Sequence, residues 1–319
     1  MAASMTSAFA VPTNLLIWFM LMCFFTALGC SQVGTFLVMR RMSLVGDAIS
    51  HSVLPGIVVA FLVVGSLDSP WLLVGAGVSG VLATLLIELI HYRSRVKQDA
   101  ATGIAFTSLF ALGVLLMSLY AQRVDLDPDC VLFGQVEHLP TYYPRVSLFG
   151  WEFPRPIATM AVVGVASTLI VAVLYRILLV SSFDPSLAAA FGYRPAVVQL
   201  LLMTLTSFVV VAAFQAVGAI LVIALLILPG ATGYLCANRL PVILMLAAGH
   251  ALLSSVLGVF MALWLALNTG AAVVMAGGGL FVLAWLFGPV DGVVVRAWRR
   301  RRAGEMIGGG AGWEHDLVD

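Results

Sequence analysis

Residues 40–56 read RRMSLVGDAISHSVLPG, so two arginines directly precede a long apolar run. Asp47 and His51 lie four positions apart inside that run. On a helix, positions with this spacing share one face, and their Cβ atoms are about 5–6 Å apart. A carboxylate and an imidazole on one face can bind a divalent cation together. Because ionisable groups inside a bilayer are costly and mark ion paths, the stretch predicts a metal ion crossing a membrane.

Two simpler interpretations of this pair stay open on the residues alone. A buried hydrogen bond between Asp47 and His51 would fix the helix without any metal. Asp47 can also be a residue of the first helical turn, where the helix dipole favours a carboxylate.

The composition is that of an integral membrane protein. The 319 residues are 62% hydrophobic and 10% charged, with a mean hydropathy of +1.09, whereas a soluble domain is about 45–50% apolar and 25% charged. A net charge of +1 offers no basic stripe for nucleic acid. Valine precedes the only lysine, Lys97, so the Gly-Lys-Ser/Thr step of a P-loop is missing. The chain is therefore predicted to be a non-enzymatic subunit without a tightly bound cofactor, and any ATP is used by a partner.

Hydropathy predicts an all-α, polytopic transmembrane bundle. A span needs about 20 mostly apolar residues, and nine segments meet that length. Because only two residues separate the sixth and seventh segments, they can be two spans or one span with a re-entrant piece, which gives eight to ten membrane segments. The segments are Asn14–Met39, Leu44–Val64, Trp71–Ile90, Ala100–Tyr120, Ile157–Val180, Ala196–Phe214, Val217–Ala237, Pro241–Leu267 and Ala271–Pro289.

The basic residues predict an orientation. All lysines and arginines except Arg123, Arg145 and Arg155 fall on one side of these segments. Because basic loops stay in the cytoplasm, the N-terminus is expected outside and the C-terminus inside. The chain divides into an N-terminal extension (residues 1–13), a transmembrane domain (14–298) and a basic, then Gly-rich cytoplasmic tail (299–319). That tail has no core-forming pattern and is predicted to be disordered, with its arginines near anionic membrane lipid.

Two intervals between spans have patterns of their own. In residues 181–195, Asp184 or Ser182 can cap a short helix, Pro185 suits its first turn and Gly192 suits its end. Such a helix is a plain connector or a docking element. The acidic interval Tyr120–Pro156 is predicted to face outside, and its apolar core can re-enter the bilayer.

Four stretches together resemble the permease subunits of zinc, manganese and iron ABC importers. Their order and spacing, with Phe183–Gly192 between the third and the fourth, extend the resemblance over about residues 14–290. The stretches are residues 40–56 quoted above, VKQDAATGIAFTSLFALG (96–113), VDLDPDCVLFG (124–134) and QAVGAILVIALLILPGAT (215–232).

The resemblance implies an importer in a bacterial plasma membrane. Two permease copies, or two paralogues, would work with two cytoplasmic ABC ATPase subunits. An extracytoplasmic metal-binding protein would deliver Zn²⁺, Mn²⁺ or Fe²⁺. Asp47 and His51 would meet the ion, and a dimer axis would double these ligands. The residues expected to couple the permease to the ATPase are Asp184, Pro185, Leu187 and Gly192 of the helix at about 184–192.

Two departures from the family pattern are visible. Where the family often has Pro-Ala-Ala-Thr-Ala, residues 229–233 read PGATG, and the extra glycines predict a more mobile bend. Where an aspartate usually precedes the last span, the chain reads Asn268-Thr269-Gly270. This copy therefore lacks an acid that could recruit cations, which suggests an unequal pair of permeases.

Other polar residues of the spans have competing interpretations. His250 is either hydrogen-bonded to a neighbouring helix or a ligand lining the pathway. Glu88 lies near a span end, where snorkelling or capping is the usual role. The breaks at Pro55 and Pro229 either free carbonyls to line a cavity or kink the helices for packing.

Two other transport functions compete with the metal importer. A carrier driven by an ion gradient would need more intramembrane acids than Asp47. An ABC permease for a metal chelate or a cobalamin-like ligand would need a wide cavity and would have little use for an Asp/His pair.

Overall fold

A computed structural model describes residues 13–42, 44–65, 70–120, 145–148, 151–290 and 292–296. These residues form eleven helices and one two-stranded hairpin. The helices are α1 (Thr13–Met39), α2 (Val45–Ser52), α3 (Leu54–Val64), α4 (Pro70–Arg93), α5 (Gln98–Tyr120), α6 (Arg155–Phe183), α7 (Pro185–Ala190), α8 (Pro195–Val217), α9 (Ala219–Cys236), α10 (Leu240–Leu265) and α11 (Thr269–Phe287). The strands are β1 (Arg145–Leu148) and β2 (Trp151–Pro154).

Eight stretches of these helices are long and apolar enough to cross a membrane, with α2 and α3 counted as one. The shorter helix α9 is also apolar. The predicted all-α bundle of eight to ten membrane segments is therefore confirmed. The close pair of predicted segments is two helices, α8 and α9. They are separated at Gly218, whose φ of +82° is a conformation that favours glycine.

The span after Arg41 is interrupted at Val53, between α2 and α3. Pro55 explains the break, because it has no N–H to donate to the carbonyl of His51 and its ring crowds that carbonyl. The interruption lies directly after His51, so it bears on the predicted ion site.

Helix α1 lies at the centre of the larger helix group and packs against α6, α8, α9 and α10. In a membrane, helices associate through close packing at small residues, because lipid gives them no hydrophobic driving force. Gly34 is such a residue. A Cβ at residue 34 would lie 1.9 Å from the carbonyl oxygen of Leu226 on α9. Only glycine permits this crossing without backbone movement.

Helices α2 to α5 form a second group, in which α3 packs on α4 and both α2 and α3 pack on α5. Helix α8 joins the groups, because it contacts α1 and α6 on one side and α2 and α4 on the other. Helix α9 also reaches α2. The helix that carries Asp47 and His51 therefore lies where the two groups meet.

The hairpin pairs β1 and β2 antiparallel, with Arg145 opposite Pro154, and leads into α6. The sequence contains its signal, an alternation of polar and apolar residues from Arg145 to Leu148, but four residues are too few to stand out. Several predictions fall outside the described residues: the re-entrant core at 126–134, the extension at residues 1–12 and the tail at 299–319.

Candidate functional site

Asp47 and His51 lie one turn apart on α2, and their side chains approach each other. The Asp47 Oδ1 and His51 Nε2 atoms are 3.4 Å apart, and each side chain is 40% exposed. Most other residues of α2 are buried. The pair is therefore open to the surroundings of this chain, and the interpretation as a closed, buried hydrogen bond does not fit its exposure.

The opposite face of α2 fixes the position of the pair. Val45 and Ile49 are buried in the main core. At Gly46, a Cβ would lie 2.2 Å from the fully buried Leu226 side chain of α9. Since Leu226 also contacts Gly34, one residue of α9 helps position both α1 and α2. This packing turns Asp47 and His51 outward.

Helix α5 forms an aromatic wall beside the histidine. The His51 ring centroid lies 6.1 Å from that of Phe106 and 5.8 Å from that of Phe110, with Phe110 at a near-perpendicular angle. Aromatic rings in this range interact favourably edge to face. The two phenylalanines therefore restrict the imidazole and make one side of the site apolar.

The spacing of the two donor atoms suits a shared cation. Two tetrahedral ligands with bonds of about 2.0–2.2 Å are about 3.3–3.6 Å apart, which includes the observed 3.4 Å. Within the described residues, however, no group of three or more His, Cys, Asp and Glu side chains could hold a metal. The described residues therefore offer two side-chain ligands at this position.

The structure places His250 differently. It lies on α10 and is 4% exposed. A Cβ at Gly277 of α11 would lie 3.3 Å from its Nε2 atom. Among the described residues, neither ring nitrogen has a hydrogen-bond partner. The expected hydrogen bond to a neighbouring helix is thus not found in this part of the chain, and His250 belongs to the contact between α10 and α11.

The short helix expected near residue 184 is present as α7. Asp184 caps it, because its Oδ1 atom accepts hydrogen bonds from the Ser186 hydroxyl at 2.5 Å and from the Leu187 N–H at 2.9 Å. These two hydrogen bonds hold the pKa of the Asp184 carboxyl below its ordinary value. Pro185 occupies the first turn, and Gly192 follows the helix with a φ of +85°. Leu187 and other apolar side chains of this segment are exposed.

Sequence reasoning missed a polar cluster around Arg40. Its guanidinium donates hydrogen bonds to Ser181, Ser182 and Gln199. The expected snorkelling of Glu88 is not seen: its side chain is buried, at 8% exposure, and its Oε1 atom has no hydrogen-bond partner among the described residues. The available signals were an acid within a span and an arginine at a span end, but the partners lie far apart in sequence.

Both departures from the family pattern have local structural roles. Asn268 caps α11 by accepting a hydrogen bond from the Ala271 N–H at 3.2 Å, a role that Asn and Asp perform about equally well. Gly230 packs against α1, where a Cβ would lie 2.8 Å from Thr35 Cα. This close packing gives Gly230 a role other than the mobile bend that was expected.

Apolar spans around a half-exposed Asp/His pair define a multi-pass membrane protein of the permease class. The chain belongs to the ABC 3 transport family, which matches residues 13–288. It is a transport subunit rather than an enzyme, and ABC transporters of this kind work with ATPase and substrate-binding partners.

Similar proteins support this assignment over most of the chain. The manganese transport system membrane protein MntD of Bacillus subtilis is 40% identical over 272 residues, which are 85% of this chain and 91% of that one. The zinc transport system membrane protein TroD of Treponema pallidum is 40% identical over 270 residues, covering 85% and 73%. The structure of PsaBC from Streptococcus pneumoniae in complex with Fab matches with a TM-score of 0.71 and 32% identity, covering 91% of this chain and 98% of that one. The comparisons do not favour the chelate permease or the gradient-driven carrier.

Proposed function

We propose that this chain moves manganese or zinc ions across a bacterial plasma membrane as the permease subunit of an ATP-driven importer. The observation that carries the proposal is the pairing of Asp47 and His51 on α2, with donor atoms 3.4 Å apart and side chains 40% exposed. In this role the two side chains bind the ion briefly while the protein alternates between outward-open and inward-open states. Two ligands from one chain suffice, because a transport site must also release its ion.

The exposure of the pair supports a second permease beside this one. A carboxylate and an imidazole that faced lipid would be costly, so we place them at a surface shared with a second copy or a paralogue. Two such surfaces facing each other would supply two carboxylates and two imidazoles, enough for a tetrahedral metal site. The loss of an acid before the last span, at Asn268, is compatible with either a symmetric or an unequal pair.

We assign ATPase coupling to α7 and the residues that follow it, with Asp184, Pro185, Leu187 and Gly192 as the principal positions. The exposed Leu187 and Phe191 side chains can enter a cleft of a cytoplasmic ATPase. This assignment puts the basic ends of the spans in the cytoplasm. The N-terminus is then outside, where a metal-binding protein delivers the ion. ATP is hydrolysed in the two partner subunits.

The donor set accepts several metals. Carboxylate and imidazole both bind Mn²⁺ and Zn²⁺, and zinc prefers the tetrahedral spacing described above. The relatives described above carry manganese or zinc in their names, whereas iron rests on the sequence resemblance alone. Manganese and zinc are therefore the first ions to test.

The test is transport in proteoliposomes that contain the chain with its ATPase and metal-binding protein. Mn²⁺, Zn²⁺ and Fe²⁺ are supplied in parallel, and ATP hydrolysis and ion accumulation are measured together. The proposal expects ATP-dependent accumulation of Mn²⁺ or Zn²⁺ that disappears in Asp47→Ala. ATP hydrolysis that responds to none of the free ions, with no accumulation, would overturn it.

A further inference from the structure

Arg40 joins three separate parts of the chain at one end of the bundle. It follows the last residue of α1 and is partly buried. Its Nε and Nη2 atoms donate hydrogen bonds to the hydroxyls of Ser182 and Ser181, at 2.9 and 3.1 Å. Its Nη1 atom donates to the Gln199 side-chain oxygen. A guanidinium holds several donors in one rigid plane, so these contacts fix Arg40 against α6 and α8 together.

The partners of Arg40 lie on both sides of α7. Ser181 and Ser182 belong to the last turn of α6, directly before Asp184, and Gln199 belongs to the second turn of α8. Pro185 and Pro195, the first residues of α7 and α8, line a cleft of about 200 Å³ together with Arg40. A displacement of α7 must therefore move the groups that hold this guanidinium.

A second set of contacts completes the cluster. Gln199 donates a hydrogen bond to the Met42 sulfur at 3.1 Å, and Glu88 of α4 lines the same cleft as Arg40 and Gln199. Glu88 is buried, and its charge attracts that of Arg40. A buried carboxylate is costly unless opposite charge and hydrogen bonds stabilise it. The cluster is consequently expected to move as a unit.

The backbone after Arg40 leads directly to the proposed ion site. The Arg41 N–H donates to the Val38 carbonyl, and the Met42 N–H donates to the Leu37 carbonyl. The Val45 N–H donates in turn to the Met42 carbonyl. Met42 itself is buried. A turn held this closely transmits a shift of Arg40 to the start of α2, which carries Asp47 and His51.

We propose that Arg40 is a positioning residue that couples movement of α7 to the orientation of the Asp47–His51 pair. The inference rests on the proposed function, in which an ATPase moves α7 and the pair contacts the transported ion. Arg40 does not bind the ion in this account. It links the ATPase-side movement to the helix that does.

The experiment uses the complete transporter in lipid nanodiscs and in proteoliposomes. Arg40→Lys keeps the charge but removes the planar fork, and the double variant Ser181→Ala/Ser182→Ala keeps the arginine but removes two acceptors. Arg41→Lys is the matched control, because Arg41 is the exposed neighbour. Three quantities are measured: ATP hydrolysis, ions accumulated per ATP, and amide exchange of residues 45–52 with and without ATP and vanadate.

We expect ATP hydrolysis to stay close to wild type in both cluster variants while ions accumulated per ATP fall about tenfold, a size typical of coupling between sites. The nucleotide-dependent change in exchange of residues 45–52 should disappear in these variants and persist in Arg41→Lys. If both cluster variants keep that change, or if the wild-type protein shows none, the inference is wrong. If the wild type shows the change and the cluster variants lose it, but the wild type accumulates no metal, the proposed function fails while the link between Arg40 and residues 45–52 stands.

Discussion

His51 and His250 both lie in apolar helices, yet their surroundings are opposite. His51 is half-exposed, has a carboxylate one turn away and has two phenylalanine rings beside it. His250 is 4% exposed, and in the described part of the protein its nitrogens have no hydrogen-bond partner. The first can exchange a ligand with its surroundings, whereas the second is enclosed between helices.

The difference shows that a histidine in a span is informative only together with its exposure and its neighbours. A polar group that stays accessible in a membrane segment carries a continuing energetic cost, and transport gives a reason for it. An enclosed histidine that has no hydrogen-bond partner among the described residues also carries a cost, but an ion reaches it only if the helices separate. On this account, the exposed face of α2 with Asp47 and His51 serves transport, whereas the enclosed contacts between helices, such as that of His250, serve packing.

The largest expected effect is the loss of metal uptake when Asp47 or His51 is replaced. Asp47→Asn or His51→Gln replaces one of the two metal ligands with a neutral amide, which binds transition metals more weakly, and should reduce Mn²⁺ or Zn²⁺ uptake to background in cells that depend on this transporter. Ser50→Ala on the same helix removes only a hydroxyl that donates to the Gly46 carbonyl and should transport normally. Immunoblots of membranes confirm equal amounts of protein. Uptake at the wild-type level by both site variants would contradict the role of His51 in ion binding and with it the functional difference from His250.

The enclosed packing between helices can be tested at Gly34, where α1 crosses α9. Gly34→Ala places a methyl group against the Leu226 carbonyl, so it should destabilise the protein by about 1–3 kcal/mol, as overpacking does. The measurement is the thermal unfolding midpoint in detergent. Gly103→Ala is the matched control, because a Cβ at that position meets nothing within 4 Å. Equal midpoints for the two variants would show that the α1–α9 crossing is not tightly packed.

Asp184, an exposed carboxylate outside the spans, provides a third test, because it caps α7 and does not bind the ion. Asp184→Ala removes the cap of α7 and should lower uptake several-fold, whereas Asp184→Ser keeps a capping oxygen and should stay near wild type. Similar uptake by the two variants would exclude the cap as the relevant feature.

The same cap predicts a pH dependence. The pKa of Asp184 is lowered by its hydrogen bonds to Ser186 and Leu187. Its stabilisation of α7 is therefore present above the pKa of the unfolded chain and is lost as pH falls through the folded pKa. The protection of the Leu187 amide, measured relative to its intrinsic exchange rate at each pH, should fall in acid in the wild type but not in Asp184→Ser. An equal acid response in both proteins would contradict this assignment.

The smallest effect is expected at His250. His250→Leu removes a buried imidazole without partners in the described residues, so uptake should stay within about twofold and the unfolding midpoint should rise. Both quantities are measured beside the Asp47→Asn variant. Loss of uptake comparable with that variant would place His250 in the ion path and contradict the comparison.

Local sequence patterns predicted the features that depend on local physics. Hydropathy located the spans, the four-residue spacing put Asp47 and His51 on one face, and residues 182–192 predicted a short helix with Asp184 or Ser182 as its cap, of which the structure shows Asp184. Contacts between distant segments were not predictable in this way. The Arg40 guanidinium meets serines more than a hundred positions away, and nothing in a single sequence relates those positions. Burial of Glu88 depends on the same contacts.

The most direct test of the central claim is pulsed EPR of Mn²⁺ bound to the assembled transporter in nanodiscs. With ¹⁵N-labelled histidine, the account predicts a nitrogen coupling to the metal that disappears in His51→Gln and persists in His250→Leu. A manganese signal without histidine coupling, or a coupling that survives in His51→Gln, would contradict the assignment of the ion to α2.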